Sequence, residues 1–228
     1  MELDHLFVLT ATGAPEADAL AAHGFIEGAP NRHPGQGTAN RRFFFGNAFL
    51  EFLWVEDEAE AQSDVVARTR LFDRWHARGA GASPFGVCLR PGTPGEQPLF
   101  RVWNYRPPYL PAGSAIPVAT NSERLDEPLL FVLPFGRRPE SPGSTREITR
   151  VVIETPVAAP SGEAIALAHS RIVEWRRAAT HGMLIEFDRG AGGGFADVRP
   201  ALPLQLRELP VSSSSLLLPA RIARRRVE

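Results

Sequence analysis

Strand and helix signals run twice along this chain in the same order, and that repetition narrows the folds open to it more than any motif does. The first run opens at Leu3 to Thr10, a short and almost wholly apolar segment suited to a strand buried on both faces. His5 shares its face with Leu3 and Phe7. Pro15 sits where a first helical turn tolerates it, and Ala17, Leu20 and Ala21 make an apolar stripe that ends at Gly24. A short strand near Phe25 and Ile26 follows, then turn residues from Pro30 to Gly37. Arg41 to Phe45 and Ala48 to Val55 read as two strands joined by a tight hairpin at Gly46-Asn47. Residues 1–57 thus spell strand, helix, strand, strand, strand.

The spacing of Val65, Phe72 and Trp75 predicts an amphipathic helix from Asp64 to Arg78 that packs on a sheet. From Ser83 to Pro142 the pattern loosens. A strand at Phe85 to Leu89, a proline-rich stretch from Arg101 to Pro117 and an apolar run from Leu129 to Phe135 read as an elaborated connection. Asn121, Glu123, Asp126 and Glu127 read as surface. The second run starts at Ile148 to Ile153, breaks at Pro156 and Pro160, and enters a helix capped by Ser161 with Ile165, Ala168, Ile172 and Trp175 on one stripe. Met183 to Asp188 reads as a strand, Gly190 to Gly194 as a loop, and Leu202 to Glu208 as a closing strand. The expected organisation is one domain over 1–211: a first module at 1–57, a connecting helix and insertion at 58–144, and a degraded second module at 145–211. The arginine-rich tail, 212–228, is expected to be solvated.

Composition removes several functions. With 43% hydrophobic and 22% charged residues among 228, the chain reads as a globular protein, and no apolar run approaches the roughly 20 residues that span a bilayer. It opens on a strand pattern in place of a basic leader, so a cytoplasmic location is expected. A formal net charge of -1 argues against nucleic acid or an acidic membrane as partner and leaves small molecules. The single cysteine, Cys88, admits no internal disulfide or thiolate cluster and reads as a small buried apolar residue. All basic side chains are arginine, which excludes a Schiff-base lysine and a Walker-type phosphate lysine. The glycine run precedes no helix and fails as a nucleotide loop, and no zinc-protease or serine-elbow motif is present.

Leu3-Asp4-His5-Leu6-Phe7-Val8, the stretch from Pro30 to Phe45, and Phe49-Leu50-Glu51-Phe52-Leu53-Trp54 resemble the glyoxalase-like branch of the vicinal oxygen chelate superfamily. The superfamily also holds bleomycin-resistance proteins and extradiol dioxygenases. The resemblance implies an α+β fold in which two βαβββ modules pair into a curled mixed sheet around a cup. It implies a divalent ion (Zn, Mn, Ni or Fe) held by His5, Glu51 and a third group, Gln205 or Glu186, with Glu51 also catalytic. Arg150 stands where the pattern would place a second histidine, and a guanidinium cannot ligate a cation. The implied activity is metal-assisted isomerisation, lyase or ring-opening chemistry on a small carbonyl-bearing or aromatic metabolite. The implied alternative is a metal-free protein that binds or sequesters such a molecule. Superfamily habit extends to a homodimer.

Other residues carry two readings each. His5 is a ligand or a core histidine, and Glu51 is a ligand or the ion-pair partner of Arg150. Arg32, His33, Gln36 and Asn40, with Asn31, Arg41 and Arg42, supply donors for an anionic or carbonyl ligand or form a solvated turn. Trp103, Tyr105 and Tyr109, interleaved with Arg101 and Arg106 in a proline-stiffened loop, form a lid over a flat ligand or pack on the sheet edge. Arg150 is carried as a further ligand contact.

Overall fold

A computed structural model describes residues 1–135, 144, 146–188 and 194–209. The expected tail and most of the glycine run lie outside the described residues.

An eight-stranded sheet is assembled from β1 (Glu2–Leu9), β2 (Asn31–His33), β3 (Thr38–Phe44), β4 (Phe49–Val55), β5 (Phe85–Arg90), β6 (Val102–Tyr105), β7 (Ile116–Ala119) and β8 (Leu129–Val132), in the order β2-β3-β4-β1-β5-β8-β7-β6. The first module runs β1, a short helix α1 (Asp18–Ala22), then β2, β3 and β4, with β4 returning parallel to β1, and its β2 lies within the stretch from Pro30 to Gly37 that reads from sequence as a turn. Phe25 and Ile26 fall short of a strand, and the nearby pairing is a single bridge from Glu27 to Phe43.

The second module lies elsewhere than expected. β5, β6, β7 and β8 repeat the first module's wiring, with β8 parallel to β5, and the two modules join where β1 runs antiparallel to β5. Residues 85–132, read from sequence as an insertion, therefore form the partner of 1–57. This module is degraded in one respect: the connection from β5 to β6 holds Pro91, Pro94 and Pro98, which remove backbone donors, and no helix forms there. Residues 147–208 build a separate five-stranded sheet in the order β10-β9-β11-β13-β12, from β9 (Glu147–Thr155), β10 (Glu174–Arg177), β11 (Gly182–Asp188), β12 (Phe195–Asp197) and β13 (Leu204–Glu208).

Alternation along the strands assigns the faces. On the first sheet Leu6, Val8, Phe43, Leu50, Phe52, Val87 and Leu130 point to one side, where they meet Val151, Ile153, Met183, Ile185, Phe187 and Leu204 of the second sheet in the main core. On the other side Phe7, Leu53, Tyr105, Ile116, Val118 and Leu129 line a smaller apolar cluster. The hydroxyl of Tyr105, on outermost strand β6, donates to the side-chain oxygen of Gln36, just past outermost strand β2, at 3.1 Å. The two end strands of an eight-stranded order can touch only if the sheet curls, and the smaller cluster lies within the curl.

The helix expected over Asp64 to Arg78 is three short ones, α2 (Glu58–Ala61), α3 (Asp64–Ala67) and α4 (Leu71–His76). Thr69 ends α3 by donating its hydroxyl to the Val66 carbonyl, and Arg70 adopts φ 59°, so the backbone cannot continue. Val65 is exposed as a result. From α4, Arg74 is wholly buried and donates to the carbonyls of Ser122, Arg124, Leu125 and Glu127, fixing the loop before β8. Asn121 and Glu127, expected on the surface, are buried with it, the Asn121 amide donating to Glu127 at 2.8 Å.

In the second sheet's connection, Ser161 caps α5 (Gly162–His169) as expected, accepting from the Ala164 N–H at 3.2 Å. Ala164 and Leu167 are buried while Ile165 is exposed, so the inward stripe is offset from the expected one, and Trp175 belongs to β10. Among the described residues no helix is long and apolar enough to cross a membrane.

Candidate functional site

The curl encloses a cavity of about 850 Å³ lined from both modules. Its floor is set by strand parity. His5 and Phe7 on β1, and Phe49, Glu51 and Leu53 on β4, are alternate residues of neighbouring strands and so face the same way. His5 Nε2 stands 4.0 Å from Glu51 Oε2, and both side chains are almost fully buried. A β-bulge between Leu3 and His5 breaks the alternation and brings consecutive side chains together. Asp4 thereby turns back to His5, its Oδ1 lying 2.7 Å from His5 Nδ1. Arg90 stands 3.7 Å from the other oxygen of Asp4. Phe49 stacks on the imidazole at 4.5 Å and Phe131 meets it edge-on at 5.4 Å. The sequence reading missed Asp4, because a bulge leaves no trace in an alternating pattern.

Asn40 acts through Glu51. It is fully buried, its Nδ2 donates to Glu51 Oε1 at 2.9 Å, and its Oδ1 accepts from the Asn31 N–H at 3.1 Å. Gln36 sits under the mouth, donating to Thr38 Oγ1 at 2.8 Å and accepting from the hydroxyls of Tyr105 and Tyr109 at 3.1 and 3.3 Å. Burial raises both phenol pKa values well above the ordinary range. Pro108 closes on Gly35, where a Cβ would come within 2.7 Å of the proline ring at a backbone φ of +78°. This position requires glycine.

His33 also lines the cavity, with Nδ1 at 2.9 Å from Thr38 Oγ1 and Nε2 at 3.2 Å from Asn31 Nδ2. Burial lowers its pKa below the ordinary 6.5, outweighing the opposing pull of Glu51. The unfolded chain then takes up this proton first, so stability is lost as pH falls through about 6.5 and not above it. We expect the urea midpoint to drop between about pH 7.5 and 5.5, and a His33→Gln variant to show a smaller drop. An equal drop in that variant would assign the acid sensitivity to other groups.

The remaining expected site residues fall as follows. Arg32 lines the mouth and pairs with Glu56 at 3.0 Å. Trp103 is not a lining residue: its indole donates to Ser122 Oγ at 3.2 Å and the Arg68 guanidinium lies 4.4 Å above its ring, which matches the packing alternative. Tyr105 and Tyr109 do line the cavity. Arg150 and Gln205 belong to the second sheet, behind the first. Arg150 pairs there with Glu174 and Glu186, and Gln205 donates to Asp197 at 3.1 Å. Glu186 is held by Arg150 and Arg207. None of the three joins His5 and Glu51, because residues 145–211 are not the module that pairs with 1–57.

Residues 3–95 match the sequence model of a family described as a glyoxalase-like domain. A hypothetical protein from Staphylococcus aureus shares the fold, with a TM-score of 0.53 at 9% identity over 92% of this chain and 99% of that one. A mutant of 4-hydroxymandelate synthase from Streptomyces coelicolor aligns with a TM-score of 0.42 at 13% identity, over 91% of this chain and 62% of that one. No curated protein matches the chain.

The match of residues 3–95 to a glyoxalase-like domain raises the question of a metal. Asp4, His5 and Cys88 place ligand-type atoms within 4.8 Å of one another. This cluster does not fit a cation. Asp4 already closes on His5 Nδ1, and burial, with the charges of Asp4 and Glu51, raises the Cys88 thiol pKa far above its ordinary value, so it holds its proton. On the cup side, His5 Nε2 and Glu51 are two ligands where a catalytic zinc takes about three from protein. The matching inward positions of the second module are Gly86, Cys88, Leu129 and Phe131, and His33 spends its nitrogens on Thr38 and Asn31. The residues present do not fit a resident divalent ion.

Proposed function

We propose that the cup of the glyoxalase-like domain binds a small aromatic or carbonyl-bearing metabolite without a resident metal. The observation that carries this reading is the convergence of His5 and Glu51, 4.0 Å apart, on a largely apolar cavity of about 850 Å³. A few convergent polar groups in an apolar concavity are what orient a small ligand. The second module supplies the apolar wall through Ile116, Val118, Leu129 and Phe131, and the first module supplies the polar floor. The reading needs neither nucleic acid nor membrane.

One observation favours metal-assisted isomerisation, lyase or ring-opening chemistry: a carboxylate behind Nδ1 with Nε2 turned into a cavity is also how metal-binding imidazoles are oriented. Metal analysis of protein purified without chelator separates the two. We expect well under one equivalent of any divalent metal, with unchanged content in a Glu51→Ala variant. Near-stoichiometric metal that disappears in that variant would replace the binding reading with the catalytic one. Native mass spectrometry of the same preparation is expected to reveal a retained small molecule or an empty protein that takes up small aromatic ketones.

A further inference from the structure

Resting on the reading of the cup as a ligand site, we propose that its occupant is a small carboxylic acid, its carboxylate gripped by the half-buried Arg42 while an apolar or aromatic body fills the cup. Strand parity chooses between the two adjacent arginines of β3. Arg42 lies opposite Glu51 in register, so it shares the cup face, and it lines the cavity. Arg41 takes the other face, where Glu27 accepts from its Nε and Nη2 at 2.6 and 2.9 Å and Asp18 accepts from Nη1 at 2.7 Å. Its charge is met there. Arg32 also lines the cavity, but it pairs with Glu56 at 3.0 Å.

Arg42 is anchored without being neutralised. Its Nε and Nη2 donate to one acceptor, the Ala29 carbonyl, at 3.1 and 2.8 Å, and its guanidinium carbon lies 5.6 Å from the centre of the Phe44 ring. Among the described residues no acidic side chain makes an ion pair with it. Glu51, on the same face, is turned to Asn40 and His5 instead. A guanidinium carries five N–H groups in one plane, so the two bonds to Ala29 leave a parallel pair free, one hydrogen on Nη1 and one on Nη2. A carboxylate accepts both at once, with charge assistance that a neutral carbonyl lacks. The positive charge is permanent. Ala29 and Phe44 fix the fork before a guest arrives, so little side-chain freedom is lost on binding. Among the described residues, the second module contributes no charged side chain to the lining, so the cavity offers a ligand one cationic end and one apolar wall.

Calorimetric titration with phenylacetate, phenylacetamide and phenethylamine, which share one body and differ in the head, tests this. Phenylacetate is expected to bind about fivefold or more tighter than phenylacetamide, which has nearly the same shape, with phenethylamine weakest. In an Arg42→Gln variant the preference for the acid should vanish, while the amide binds as it does to the unaltered protein. An amide as tight as the acid, an amine tightest of the three, or an acid preference that survives Arg42→Gln would overturn the carboxylate assignment and leave the cup as a ligand site. If none of the three binds, the ligand-site reading itself fails, and the carboxylate assignment with it. The ranking in the unaltered protein stands as a test even if the variant does not fold.

Discussion

Replacing Arg74 with methionine will destabilise the protein by about 3–5 kcal/mol. The guanidinium is wholly buried and donates to four backbone carbonyls between Ser122 and Glu127, two of them at 2.9 Å. Methionine fills much of the volume but offers no donor, so those carbonyls lose their partner inside the protein. Glu127 also loses a cation near its buried carboxylate, although the Ser161 N–H and hydroxyl still reach it. Burial pushes the Arg74 pKa down to about 10, against the pull of Asp126 and Glu127, so the charge persists at neutral pH. The check is urea unfolding, where the midpoint should fall with the slope unchanged. A loss below about 1 kcal/mol would show that the loop does not depend on this side chain.

Truncating Phe187 to alanine is expected to cost a similar amount, about 3–5 kcal/mol. Phe187 is fully buried on β11 and meets Phe25 at 5.4 Å and Phe45 at 5.8 Å, so it ties the second sheet to the back of the first module. Because one core serves both sheets, amides in β1 and β9 should lose hydrogen-exchange protection together. If β9 loosens while β1 keeps its protection, the two sheets are separate cooperative units and the shared core does not couple them.

The half of the site on the first module was legible in the sequence for a simple reason. His5, Phe7, Glu51 and Leu53 obey the period of two, and a parallel pairing of β1 with β4 turns that parity into one shared surface. The donors from Arg32 to Asn40 were legible too, as a density of polar side chains beside a strand. Asp4 was not, because the bulge that turns it toward His5 is a property of the pairing with β5. The second module was misplaced although its strands at Phe85 and Leu129 were seen. Its helix is missing, and Pro91, Pro94 and Pro98 made the segment look like a detour. A strand's sequence shows which face is apolar but does not name its neighbour, so Ile148 to Ile153, with a real helix after it, was the stronger imitation. Arg150 and Gln205 were drawn into the site by that imitation alone.

Every other boundary within the curled sheet is a ladder of backbone bonds, but β2 and β6 meet through side chains. Gln36 accepts from two phenols, and Gly35 abuts Pro108. Parting them severs two neutral bonds, about 1–3 kcal/mol together, and leaves every ladder whole. On the proposed reading of the cup, a solute would pass by parting this contact, with no strand unzipped.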